Sequence, residues 1–93
     1  MSDRNDEIRT GIALARAGDW EAAHAVAQRH EGDPYADWLH AVLHKIEGDQ
    51  GNARYWYRRC GRSADAYSDP QAELAALSAS LSLRYRSRQA LTT

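Results

Sequence analysis

Four short stretches that end one helix and begin the next constrain this fold more than any other feature of the chain. Aspartate accepts hydrogen bonds from first-turn amides, proline suits the first helical position, and glycine suits the residue after a helix. These stretches are Gly18-Asp19, Gly32-Asp33-Pro34, Gly48-Asp49 and Asp69-Pro70. They predict five helices, at about 4–17, 20–30, 34–47, 50–61 and 70–89.

Composition supports an all-α fold. Seventeen of the 93 residues are alanine, and only eight are Val, Ile or Thr. Alanine is the best helix former, whereas β-branched residues favour strands. The chain has no Phe, so three Trp and five Tyr supply most of the large core volume. A chain of this length forms one domain.

Each predicted helix has an apolar face with the i, i+3, i+4, i+7 spacing. Helix three has the clearest one. The predicted inward residues are Ile8, Ile12, Trp20, Ala23, Val26, Ala27, Tyr35, Trp38, Leu39, Val42, Leu43, Ile46, Ala53, Trp56, Tyr57, Cys60, Leu74, Leu77, Leu81 and Tyr85.

A weak internal repeat relates Gly18-Asp19 to Gly48-Asp49 and Ala23 to Ala53, a spacing of 30 residues. A period in this range is typical of stacked helical units. The connections between the first four helices are short, so consecutive helices should be antiparallel neighbours. Helices one and two then form one hairpin, and helices three and four form a second.

At these residues the chain resembles the tetratricopeptide-repeat superfamily, including its Sel-like branch, over about residues 7–62. The resemblance implies a right-handed stack of helix pairs, with a peptide or protein partner bound in a concave groove. Helix five would cap the stack, or a second copy of the chain would extend it into a homo-oligomer. The matching positions are Gly11, Gly18, Trp20, Ala23, Pro34, Gly48, Ala53 and the stretch YWYRRC, and the departures are Glu7 and Ala41.

A formal net charge of −1 excludes a protein held on nucleic acid or a membrane by bulk charge alone. No stretch approaches the roughly 18 apolar residues of a membrane span, and the start MSDRNDEIRT has no secretory signal pattern. The single cysteine, Cys60, suits a reducing compartment. We therefore expect a cytoplasmic protein of one domain over 1–93, with frayed ends at about 1–5 and 90–93.

Helix three carries a second, polar face with Asp37, His40, His44 and Glu47 opposite Trp38. The i, i+4 spacing of His40 and His44 puts both imidazoles within reach of one metal ion. A solvated helix face is the favoured interpretation, because a histidine pair on one helix is a weak signal. If helix one or five covers this face, the histidines are instead hydrogen-bonding core groups. The sequence thus favours neither a metal nor a cofactor.

Helix four carries an arginine row, Arg54, Arg58 and Arg62, with Tyr55 and Arg59 beside it. Arginines next to tyrosine edges can hold a carboxylate or phosphate through paired hydrogen bonds. The alternative is that these arginines pair with local acids or cover the neighbouring indole.

Three further features have a functional and a structural interpretation. Asn52, in the first turn of helix four, either helps to receive an anion at the helix N-terminus or caps it locally. Cys60 is either an activated thiol or, as we favour, a small buried group. The basic end of helix five suits the helix dipole; its residues are Arg84, Arg86 and Arg88.

The leading functional hypothesis is a small interaction or scaffold module rather than an enzyme. It binds a peptide or protein partner, or an anionic group on it. The proposed contacts are Asn52, Arg54, Tyr55, Arg58, Arg59, His40 and His44. The alternative is a metal- or ligand-dependent enzyme that uses His40, His44, Glu47 and Asn52 around a small pocket. Nucleic-acid binding ranks last because of the neutral total charge.

Overall fold

A computed structural model describes residues 3–92, with side chains as far as Arg84. It contains five helices, and the described residues form no strand. The helices are α1 (Arg4–Arg16), α2 (Trp20–Arg29), α3 (Pro34–Glu47), α4 (Gln50–Cys60) and α5 (Pro70–Thr92). The predicted all-α fold with five helices is confirmed.

The aspartate signals act as helix N-caps. Asp3, Asp19, Asp33 and Asp49 each accept a hydrogen bond from a first-turn amide of the helix that follows. The two related turns also share a backbone geometry. Asp19 has φ −88° and ψ 80°, and Asp49 has φ −87° and ψ 83°. In both turns a glycine with positive φ precedes the aspartate, so the two hairpins begin their second helices in the same way.

Helix α3 lies at the centre of the molecule, where it contacts the other four helices. All its residues from 36 to 44 are buried. The pairs α1–α2 and α3–α4 form two hairpins joined where α2 packs on α3, and α5 packs along α1 and α3. Helix α5, the expected cap, therefore covers the first helix of each hairpin, α1 and α3.

Most of the predicted inward residues are buried, including Trp38, Trp56 and Leu77. Ile46 is the clearest exception, at 42% exposed; it is the second-last residue of α3. The side chain of Tyr85 lies outside the described residues.

A buried carboxylate joins α5 to the second hairpin. Glu73 is 1% exposed, and it accepts hydrogen bonds from Trp38 Nε1 at 2.9 Å and from the Tyr57 hydroxyl at 2.7 Å. Lys45 Nζ lies 2.7 Å from its other oxygen. Burial and the Glu73 carboxylate raise the pKa of the Tyr57 hydroxyl, so Tyr57 remains a donor.

Arg84 makes a second set of tertiary contacts. The sequence predicts that this arginine interacts with the dipole at the C-terminal end of helix five. Its guanidinium instead contacts Asp33 at 3.0 Å and donates to Asn5 Oδ1 at 2.6 Å. The side chains of Arg86 and Arg88 lie outside the described residues.

None of the helices in the described part of the chain is long and apolar enough to span a membrane.

Candidate functional site

Three histidines from two helices meet beside the core. His24 lies on α2, and His40 and His44 lie on α3. One ring nitrogen from each lies within 4.8 Å of those from the other two, and the Nε2 atoms of His24 and His40 are 3.0 Å apart. We call these three residues the histidine cluster.

Indole rings enclose the histidine cluster. Trp20 of α2 stacks on His24 with a centroid distance of 4.6 Å, and Trp56 of α4 stacks on His40 at 3.8 Å. His40 is 4% exposed and His44 is 8% exposed. The prediction of a solvated histidine face is therefore wrong. The histidines are buried because α2 and α4, rather than helix one or five, pack on this side of α3.

The proton arrangement in the histidine cluster is only partly fixed by its hydrogen bonds. His44 Nδ1 lies 2.6 Å from Glu47 Oε1, and a carboxylate acceptor requires that Nδ1 carry a proton, so that in a neutral ring the lone pair is on Nε2. Between the Nε2 atoms of His24 and His40 one proton serves two nitrogens. The buried Nδ1 of His40 has no hydrogen-bond partner among the described residues, which costs about 1–3 kcal/mol.

The surroundings of His24 and His40 favour neutral imidazoles. Burial lowers the pKa of His40 from 6.5 to about 4, and His24, His44 and Arg59 add to this effect. Burial also lowers the pKa of His24, helped by His44. Neutral imidazoles keep a lone pair, so near neutral pH these two rings can act as metal ligands or hydrogen-bond acceptors.

The sequence reasoning missed His24. The available signal is the i, i+4 spacing of Trp20 and His24 on α2, which places an aromatic ring and an imidazole on one side of the helix. Asp37, which the sequence places on the solvated face, is also buried. It accepts the Gly32 amide at 3.0 Å, and burial raises its pKa despite this bond.

The outer side of α4 forms a separate surface, which we call the arginine face: Arg54, Tyr55, Arg58 and Arg59. All four are exposed, Tyr55 to 45%. Arg59 donates to the Tyr55 hydroxyl at 3.2 Å and lies 4.9 Å from the centre of the Trp56 ring. Within the described chain, the side chains of Arg54 and Arg58 have no hydrogen bond or ion pair.

Two predicted neighbours of the arginine face are placed elsewhere. Arg62 lies beyond the end of α4, and its guanidinium sits 3.5 Å from the centre of the Trp38 ring. Its predicted place in the arginine row is therefore wrong, because the left-handed Gly61 ends the helix first. Asn52 is on α4, but its side chain donates to Asp49 at 2.7 Å. That carboxylate already occupies the N-terminus where an anion was expected.

The single cysteine is half-buried at the end of α4. Cys60 Sγ lies 3.5 Å from the Tyr57 carbonyl oxygen, and burial raises the pKa of the thiol. A raised pKa leaves little thiolate near neutral pH, which favours a packing role.

Comparison with protein-family models, with curated proteins and with solved structures finds no match. The histidine cluster and the arginine face are therefore the features that point to a function.

Proposed function

We propose that this chain is a small helical-hairpin interaction module that binds an acidic segment of a partner protein on the arginine face. The observation that carries the proposal is the pair Arg54 and Arg58. Both are exposed on one side of α4, and neither is paired within the described residues. A guanidinium without an intramolecular carboxylate is free to form a bidentate pair with one from a partner.

The chemistry of α4 supports an acidic ligand. The helix contains no Asp or Glu, so its outer side is locally cationic although the whole chain carries −1. Tyr55 adds an exposed aromatic ring held by Arg59, and aromatic residues and arginine are enriched where proteins bind one another. The low total charge argues for a short acidic segment rather than for nucleic acid.

The shape of the molecule also supports binding on the outside. Helix α5 packs along α1 and α3. It therefore covers the side formed by these two helices, and a partner cannot bind there. A cleft of about 310 Å³ lies next to the arginine face, with Lys45, Arg54 and Ala64 among its lining residues. Asp65 also lines this cleft, and Lys45 is paired with Glu73, so Arg54 is the cation that it offers to an acidic side chain. We also propose that the two hairpins are of the tetratricopeptide-repeat kind. The protein would act in the reducing environment of the cytoplasm.

The test uses the full chain and fluorescent peptides of equal length that are rich in Glu and Asp or in Lys. Anisotropy should show saturable binding of the acidic peptide that weakens with salt. Arg58→Glu and Arg54→Glu should each weaken it about tenfold or more, because each removes a charge-assisted pair worth about 1.5–3 kcal/mol.

Arg16→Glu is the matched control. Arg16 is also exposed and has no described partner, but it lies on α1. If Arg16→Glu and Arg58→Glu weakened peptide binding equally, the loss would follow from the change in net charge alone, and the arginine face would be refuted as the binding site. Stronger binding of a single-stranded oligonucleotide would favour nucleic acid instead, and a mass in solution above that of one chain would show self-association.

A further inference from the structure

We propose that His24, His40 and His44 form a binding site for a divalent transition-metal ion of the zinc class. This inference does not depend on the acidic-partner proposal, because no residue of the arginine face supplies a ligand. It rests on the convergence of three imidazoles from two hairpins and on a carboxylate that orients one of them.

The spacing of the ring nitrogens suits one ion. Zinc binds histidine nitrogen at about 2.0–2.1 Å, so two nitrogens in a tetrahedral site lie about 3.3 Å apart. The Nε2 atoms of His24 and His40 are 3.0 Å apart, and all three ligand atoms fall within 4.8 Å of one another. Binding of one ion by all three would require the longer separations to close by up to about 1.5 Å.

Glu47 provides the support that histidine ligands of metals commonly have. Its carboxylate lies 2.6 Å from Nδ1 of His44, which directs the Nε2 lone pair of that ring away from Glu47. A carboxylate behind a ligating imidazole fixes the tautomer and raises the basicity of the ring. The geometry therefore includes an outer contact as well as three ligands.

The ligand set indicates which metals fit. Three imidazoles suit zinc, cobalt, nickel and copper, whereas calcium and magnesium require oxygen ligands. Three protein nitrogens leave the fourth tetrahedral position for water. His24 belongs to the first hairpin and the other two ligands to the second, so the ion joins the hairpins and its binding stabilises their contact.

The first experiment uses the full chain, free of any histidine tag and stripped with a chelator. Added Zn²⁺ at about a hundredfold excess over its dissociation constant should raise the melting temperature by roughly 10 °C or more. Co²⁺ should give the visible absorption of a tetrahedral site, and Zn²⁺ should remove it. No rise in melting temperature and no cobalt band with the folded chain would overturn the proposal.

The second experiment compares variants. His24→Gln, at the half-buried member of the cluster, should weaken Zn²⁺ binding by more than about tenfold, and Glu47→Gln should weaken it by about tenfold. His30→Gln is the control, because His30 pairs with Glu7 and is not in the cluster; it should keep the affinity of the unmodified chain. Equal losses for His24→Gln and His30→Gln would refute the site.

A third readout needs no substitution and so does not depend on how well a variant folds. Imidazole ¹⁵N spectra of the unmodified chain should show saturable Zn²⁺-induced shifts at His24, His40 and His44, with His30 unchanged. Shifts at His30 alone, or at all four histidines in parallel, would show only adventitious surface binding and would contradict the proposal.

Discussion

Gly11 lies where α1 meets α2 and α3, and it leaves no room for a side chain. A Cβ added there would stand 2.8 Å from Cγ1 of Val26 and 3.1 Å from Cδ2 of Leu39. Val26 is β-branched and its own Cβ would be only 3.0 Å away, so rotation of its side chain cannot relieve the contact. The glycine therefore sets how closely the first hairpin packs on α3.

Gly11→Ala should destabilise the protein by up to about 2 kcal/mol. Overpacking of a core costs about 1–3 kcal/mol, and the gain of about 1 kcal/mol that alanine brings to a helix interior offsets only part of this cost. Gly51→Ala is the control, because Gly51 lies on α4 with its nearest neighbour 3.9 Å away. It should stabilise the protein by about 0.5–1 kcal/mol. Urea denaturation measures both changes, and changes of the same sign would contradict the close-packing argument.

At the scale of helices, local signals in the sequence were sufficient to predict where helices two to five begin and where the first four end. An N-cap such as Asp49 acts on amides within the next turn, and Gly48 ends the preceding helix from the adjacent position. The faces of α3 could not be predicted in the same way. His40 and His44 are polar and lie opposite Trp38, but whether water or a helix covers them depends on how two hairpins dock. That information is not local to α3.

The contacts of Glu73 show the same limit for α5. Its partners Trp38, Lys45 and Tyr57 lie 35, 28 and 16 residues away in the sequence. Glu73 is the acidic residue in the first turn of α5. An acidic residue at that position is equally typical of a helix start exposed to solvent, so it does not indicate burial. The leucines of α5 were predictable from their spacing, whereas the buried carboxylate between them and the second hairpin was not.

Glu73→Ala should destabilise the protein by about 3 kcal/mol, because it leaves Lys45 without its carboxylate partner and the Trp38 and Tyr57 donors without an acceptor. Glu73→Gln should cost about 1–2 kcal/mol. Its amide oxygen can still accept from the two aromatic donors, but its NH₂ group then faces Lys45. Glu21→Ala, at an exposed glutamate of α2, should change stability by no more than about 0.5 kcal/mol. Denaturant midpoints give the order, and equal costs for Gln and Ala would rule out the assigned role of the carboxylate oxygen.

At the scale of the whole molecule, Asp33 connects the first and last helices, α1 and α5, to the start of α3. Its carboxylate caps α3 and also contacts Arg84 of α5 at 3.0 Å and Arg4 of α1 at 3.0 Å. Arg84 in turn binds Asn5. Burial opposes the charged form of Asp33, but the hydrogen bonds from Arg84 and from the first-turn amides outweigh it and hold the pKa of Asp33 below its ordinary value.

This lowered pKa predicts how stability changes in acid. A carboxyl whose pKa is lower in the folded than in the unfolded chain contributes stability above its unfolded value of about 3.9. That contribution falls as the pH drops below this value and through the folded-state pKa. Asp33→Asn keeps a capping side chain but removes the charge, so it should cost about 1.5–3 kcal/mol at pH 7. Urea denaturation should show the gap between Asp33→Asn and the unmodified chain narrowing steadily as the pH falls below about 4.

The control for that experiment is Asp19→Asn. Asp19 caps α2 as Asp33 caps α3, but no arginine contacts it among the described residues. Its replacement should cost only a few tenths of a kcal/mol at pH 7, because asparagine caps a helix about as well as aspartate. A cost for Asp33→Asn that matches this control, or one that stays constant into acid, would show that the arginine contacts add nothing to the cap. Among the described contacts, the attachment of α5 would then rest on Glu73, on the leucines and on the hydrogen bond from Arg84 to Asn5.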